Sequence, residues 1–374
     1  MPLIVDGTTG VTFNDASLQG AAASPFGLKN RIINGDMVVS QRFGTSSISA
    51  YGYTLDRWVV DGSQATRFTT QQNAGSVTPP AGFTNYLGIT STAATSLGAG
   101  DYFVINQSIE GLNVADLGWG AAGAATVTIS FWVRSSLTGT FGGALRNGSA
   151  NRSYPFSYTI SAANTWTKIN ITIPGDTSGT WLTNNLTAII LSFSIGTGST
   201  FSGTAGAWAG SNFVSATGAV SVVGTNGATF YITGVQLERN TTATPFEWIP
   251  YTTELQLCQR YFYRVNNAVS GGAAYNVVSL AGFNTTRCFG TFFLPVSLRA
   301  SPTITFNGCA IRDGALNIQA NVTNIFPVQT VTTIPFSASV PCEFNVASGL
   351  TSNVWYGLGF IATGNDFYAL SAEL

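Results

Sequence analysis

The run Thr233–Val265, TGVQLERNTTATPFEWIPYTTELQLCQRYFYRV, changes its structural pattern twice. It opens as the end of a strand. Phe230 and Ile232 hold one parity, Val235 and Leu237 the other, and Gly234 stands where the parity flips, which predicts a bulged last strand. Pro245 and Pro250 then interrupt the pattern. Beyond them, Thr253-Glu254-Leu255-Gln256 fits a capping box with an acid in the first turn. Leu255, Cys258, Phe262 and Val265 recur at spacings of three, four and three, which predicts one face of a linker helix over residues 251–265. So short a helix is marginal alone, and its face needs a neighbouring domain or symmetry mates. We therefore assign Leu255, Cys258, Phe262 and Val265 to an oligomer interface.

Upstream, residues 29–250 read as strands. Val127, Ile129, Phe131 and Val133 alternate with polar or outward positions, as do Ile169, Ile171 and Ile173, and Ile189, Leu191, Phe193 and Ile195. Long Gly-, Ser-, Thr- and Asn-rich separations between them predict an antiparallel Greek-key sandwich. No fixed-period repeat occurs, which argues against a parallel β-helix. Downstream, residues 266–374 carry further short strands, a C-terminal β domain large enough for a small core. Residues 1–28 form a small hairpin-like pattern that must borrow a surface from something larger. The fold class is thus all-β: an N-terminal anchor segment, a sandwich, a short helix and a C-terminal β domain.

Composition narrows the function. Charged residues make up 8% of the 374, against about 25% in ordinary soluble domains. Fifteen Lys and Arg stand against sixteen Asp and Glu with no like-charge run, so nucleic acid is disfavoured as a partner. No apolar run approaches the roughly 18 residues of a membrane span, and residues 1–25 lack a basic start with an apolar core. Membrane insertion and secretion by a signal peptide are not expected. The four cysteines, Cys258, Cys288, Cys309 and Cys342, show no C-x-x-C pairing and read as free buried thiols. The chain contains no histidine, which removes Ser-His-Asp and Cys-His catalysis and any His-ligated metal.

Gly118-Trp119-Gly120-Ala121-Ala122-Gly123 matches a dinucleotide-binding spacing, but a strand follows it where that motif needs a helix, so we read a loop and expect no cofactor. The carboxylates nearest in sequence, Asp56 with Asp61 and Glu238 with Glu247, have neighbouring arginines and read as strand-end charges, so no catalytic residue is assigned. Asp36 reads as a turn residue in preference to a calcium ligand, and no metal site is assigned.

The segments Asn30-Arg31-Ile32-Ile33-Asn34-Gly35-Asp36 and Tyr53-Thr54-Leu55-Asp56-Arg57-Trp58 pair with Gly234-Val235-Gln236-Leu237-Glu238, Ala243-Thr244-Pro245-Phe246-Glu247 and Leu257-Cys258-Gln259-Arg260-Tyr261. Together they resemble bacteriophage tail-fibre and receptor-binding proteins, over about residues 1–300. The resemblance implies a carbohydrate-binding-module-like jelly roll, a homotrimer, and a place in the virion tail after synthesis in the bacterial host cytoplasm. It also implies attachment to a tail or baseplate protein through residues 1–28, with Leu3, Ile4, Val5, Val11 and Phe13 at that contact. Host surface polysaccharide or lipopolysaccharide is the expected ligand, without enzymatic turnover. A structural tail component that binds no receptor and a glycan depolymerase are the rivals. Aromatic residues near loop-forming sequence are the candidate sugar platforms: Tyr275, Trp355, Tyr356, Phe367 and Tyr368 in the last domain, and Trp181 and Trp208, with Trp119 beside them, in the sandwich. Capping of the sandwich end is the competing reading for these tryptophans. If residues 1–28 are the attached end, residues 266–374 meet the host first.

Overall fold

A computed structural model describes residues 4–6, 10–12, 18–19, 28–266, 278–328, 339–361 and 366–374. Its largest unit is a sandwich of two antiparallel sheets. One has the spatial order Ser153–Ile160, Gly139–Asn147, Thr187–Thr197, Tyr102–Glu110, Trp58–Gly62, Gly52–Leu55; the other runs Thr167–Ile173, Val127–Ser135, Thr229–Glu238, Leu87–Ser91, Phe68–Gln72. Spatial neighbours are mostly distant in sequence, as in a jelly roll. The predicted alternation marks the core: Val127, Ile129, Phe131 and Val133 are fully buried, and so are Leu191, Phe193 and Ile195. Rings close the space between the sheets, with Phe131 edge-on to Phe193 at 4.9 Å and to Tyr158 at 5.1 Å. Ile169 and Ile171 are only partly covered because their strand is an edge of its sheet.

Thr229–Glu238 carries the predicted bulge. Its pairing with Val127–Ser135 shifts register between Thr233 and Gln236, so Phe230, Ile232, Val235 and Leu237 all reach the core despite their opposite parities. Gly234 has a φ of 62°, and a Cβ there would lie 2.6 Å from Phe83 Cζ and 3.1 Å from Trp132 Cδ1. Gly234→Ala should therefore lower the unfolding free energy by about 2 kcal/mol, through left-handed strain and displaced rings. Urea titration measures this, and an unchanged midpoint would count against the bulge's role.

The helix is shorter than predicted, Tyr251–Gln259. It starts on Pro250, whose carbonyl accepts the N–H groups of Thr253 and Glu254 at 2.9 and 3.1 Å, and no side chain caps it. Proline suits a helix start because its φ is already fixed, so the capping box at Thr253 goes unused. The helix stops because Phe262–Asn266 is a strand paired with Phe367–Ser371; long-range pairing overrides the helical spacing. The second unit thus begins at Phe262, not at 266. Cys258 and Phe262 are buried within the chain, and Val265 packs partly against the second core. The face assigned to an oligomer seam is therefore covered at Cys258 and Phe262 by the chain itself, while Leu255 stays half-buried.

That second unit is a closed barrel in the order Val278–Gly282, Arg287–Phe293, Ser339–Val346, Ile318–Pro327, Cys309–Arg312, Trp355–Phe360. A three-stranded sheet of Phe262–Asn266, Phe367–Ser371 and Thr303–Asn307 lies beside it. The four cysteines are free and buried. At the other end of the chain, Ile4–Asp6 pairs antiparallel with Gly10–Thr12, and that strand with Leu18–Gln19.

Sandwich and barrel meet through buried ions. Arg57, 1% exposed, pairs with Glu373, and its guanidinium lies 3.6 Å from the Tyr261 ring centroid. Arg42 reaches the same carboxylate at 3.0 Å and covers the Phe262 ring at 3.5 Å. Arg260 and the Tyr261 hydroxyl both donate to Glu110, at 2.6 and 2.7 Å. Arg299 donates to the carbonyls of Asn185, Ala372 and Glu373. Burial works against the Arg57 charge, but Glu373, Tyr261, Tyr53 and Cys258 together outweigh it and raise the guanidinium pKa above its ordinary value. The segments Leu55–Trp58 and Leu257–Tyr261 thus supply much of one joint.

Candidate glycan-binding site

The six-stranded sheet turns Phe103, Ile105, Leu191 and Phe193 to the core. Alternate residues therefore face away from it. Register brings Asp61 beside Val104, Asn106 beside Ser192, and Arg146 beside Ile190. Residues 199–216 fold back over this face, where Ser202–Gly203 pairs in parallel with Ser215–Ala216. Gly142 permits the approach: a Cβ there would lie 2.4 Å from Ser215 Oγ. What stays open is a cavity of about 150 Å³ lined by Asp61, Tyr102, Asn106, Arg146, Phe201 and Asn212, among others.

Arg146 is only 8% exposed. It donates to Asn212 Oδ1 at 2.7 Å and to Ser192 Oγ at 3.2 Å, while its Nε has no acceptor. Burial lowers its pKa to about 10, against the opposing influence of Tyr102 and Asp61, so it is cationic at neutral pH. Asn106 Oδ1 is buried without a donor. Asp61 Oδ1 accepts the Gly62 N–H at 2.8 Å, and its Oδ2 lies 3.4 Å from the Tyr102 hydroxyl. Tyr102 and Phe201 meet edge-to-face at 5.1 Å and form an aromatic wall. The cavity thus offers a donor, acceptors and ring surface together, the combination that fixes a small polar ligand.

A second open surface lies on the barrel. Phe293 and Trp355 are 80% and 73% exposed, and register sets Ala281 between Trp355 and Phe289. The groove beside them measures about 740 Å³, and its wall is largely apolar, with Ser279 and Thr291 as polar members.

The aromatic residues picked out from sequence divide sharply. Trp355 is exposed, whereas Tyr356 and Tyr368 are buried against the barrel core, Tyr368 at the wall of the groove. Phe367 is half-buried with the Arg264 guanidinium 4.0 Å from its ring centroid. Trp119, Trp181 and Trp208 pack edge-to-face at 4.7 to 5.5 Å. Their indole N–H groups are bound by the carbonyls of Ala125, Ser178 and Pro174, the arrangement of a cap on the sandwich core. Leu3, Phe13 and Tyr275, and the side chains of Ile4, Val5 and Val11, lie outside the described residues.

Most of the carboxylates considered for catalysis are held by the chain's own donors. Asp56 is buried and accepts from Gln41 N and Nε2 at 2.6 and 2.8 Å. Glu238 is buried and held by Gln236 and Thr244, and Glu247 accepts the Asn30 N–H at 2.8 Å. Asp36 is half-buried, its Oδ1 lacks a donor, and burial raises its carboxyl. Among the described residues no three of His, Cys, Asp and Glu converge as metal ligands. Sequence reading missed Asn106, Arg146, Phe201 and Asn212. The available signal was Arg146, the one charge in the strand Gly139–Asn147.

No family model and no curated protein sequence matches the chain. Similar solved structures include the enzymatically active domain of bacteriophage CBA120 tailspike protein 4, at 12% identity and a TM-score of 0.30 over 56% of this chain. This chain spans 21% of that one. A family 4 carbohydrate-binding module is 13% identical, with a TM-score of 0.29 over 55% of this chain and 98% of its own. A putative sugar-binding protein from Bacteroides thetaiotaomicron is 11% identical, with a TM-score of 0.32 over 56% of this chain and all of its own.

Proposed function

We propose that this chain is a non-enzymatic phage tail attachment protein that holds a sugar ring of host surface polysaccharide or lipopolysaccharide in the cavity of Asp61, Asn106 and Arg146. The carrying observation is a walled cavity whose lining brings the polar side chains of Asp61, Asn106, Arg146 and Asn212 together with the rings of Tyr102 and Phe201. Support for binding without turnover comes from the carboxylates: glycoside hydrolysis uses two across one bond, and this cavity holds only Asp61. Attachment through residues 1–28 and a homotrimer follow from the tail-fibre resemblance. Three copies would raise a weak single-site affinity.

Labelled full-length protein should bind purified bacterial surface polysaccharide and release no reducing ends. Released ends would turn the assignment to a depolymerase, and the absence of binding to any host surface would leave a structural tail part. A monomer mass in light scattering would exclude the trimer.

The exposed Trp355 and Phe293 favour a second reading, in which the barrel makes the receptor contact. Truncation at Val265 does not isolate that surface. It strips Phe262–Asn266 of its partner strand and removes Glu373 from Arg57. Trp355→Ala together with Phe293→Ala, in the full chain, is the discriminating variant.

A further inference from the structure

We infer that the sandwich cavity selects the terminal residue of a neutral glycan, held by its hydroxyls, and rejects an acidic group; this rests on the glycan reading above. Asp61 is the one carboxylate in the cavity wall. Asp61 Oδ2 has only the long 3.4 Å approach of the Tyr102 hydroxyl.

A sugar hydroxyl donates and accepts at once, whereas a carboxylate or phosphate oxygen only accepts. A sugar hydroxyl can therefore donate to Asp61, whereas an anion would set a second negative charge against it. Nor does Arg146 offer the open fork that grips carboxylates. Each of its terminal nitrogens already donates, one to Asn212 and the other to Ser192. Tyr102 and Phe201 supply ring surface for the C–H face of the sugar. A space of about 150 Å³ beneath residues 199–216 has room for one ring, not for a chain running along the sheet.

The test is calorimetry on the full-length chain with millimolar galactose, glucose and mannose, set against N-acetylneuraminate and glucose 6-phosphate, for wild type, Asp61→Asn and Asn106→Asp. Thermal melts first confirm that each variant is folded. At least one neutral sugar should bind ten-fold or more tighter than both anions. Asp61→Asn should narrow that ratio, and Asn106→Asp, which adds a carboxylate, should widen it. Equal or tighter binding of the anions to wild type overturns the neutral-sugar assignment and leaves glycan binding standing. If the neutral sugars bind but neither variant changes the ratio, the sugar lies elsewhere and this cavity is not the selector. If no sugar binds, the glycan reading of the cavity fails with it.

Discussion

Replacing Glu373 by leucine should lower the unfolding free energy by about 3–5 kcal/mol, the usual cost of removing one partner from a buried ion pair. The change strands Arg57, 1% exposed beneath the Tyr261 ring, and takes a counter-charge from Arg42 as well. Arg57 would keep its hydrogen bond to the Ser108 carbonyl, which compensates little of a buried charge. Adding Arg57→Met to the same chain should recover most of the loss, because an apolar pair of similar volume often matches or exceeds a buried ion pair. Urea unfolding should also separate into two transitions in the single variant, as sandwich and barrel lose their shared joint. A loss below about 1 kcal/mol, or no recovery in the double variant, would show that the joint does not depend on this pair.

Acidification from pH 8 to pH 5 should stabilise the protein. Glu254, on the helix, is buried, and its carboxylate accepts the Asn34 N–H. Burial pushes its carboxyl up to about 7; the Asn34 N–H opposes this, and the nearby Asp36 and Glu247 add to it. Burial likewise raises Asp56 to about 6, against the opposing Arg42 and Gln41. A carboxyl whose folded pKa exceeds its unfolded value gives the native state the extra proton between the two. Its contribution is therefore complete below the unfolded pKa and is lost as pH rises through the folded one. For Glu254 the window runs from 4.5 to about 7, and for Asp56 from 3.8 to about 6. The Glu254 contribution is on the order of 3 kcal/mol. Glu254→Gln should flatten the profile above pH 5 and leave the protein as stable as wild type, or more so, at pH 8. Stability that climbs between pH 5 and pH 8 in wild type would overturn this assignment.

Most of the sandwich was legible because a strand buried on one face repeats every second residue. Val127 to Val133 and Ile189 to Ile195 show that repeat, and Gly234 marks a place where it breaks. The same rule failed at Phe262 and Val265, where spacings of three fit a helix while the partner strand Phe367–Ser371 lies about a hundred residues further on. Nothing local announces such a partner. Among the aromatics, Trp355 and Tyr356 are adjacent, so one must point out and the other in; parity alone does not say which, and the barrel decides it. The cavity was the least legible feature. Asp61, Asn106 and Arg146 come from three separate strands, and each reads singly as a polar residue on a solvated face. Only the return of residues 199–216 over that face turns them into walls of one space.

Binding of the full-length protein to a panel of bacterial capsular polysaccharides and lipopolysaccharides, wild type beside Asn106→Leu, tests the central claim most directly. The substitution replaces the Asn106 amide in the cavity wall with an apolar side chain of similar shape while leaving the barrel's Trp355 and Phe293 untouched. The account predicts that wild type binds at least one surface glycan and that Asn106→Leu, folded and equally stable to heat, loses ten-fold or more of that affinity. Undiminished binding by the folded variant would contradict it and move recognition away from the sandwich.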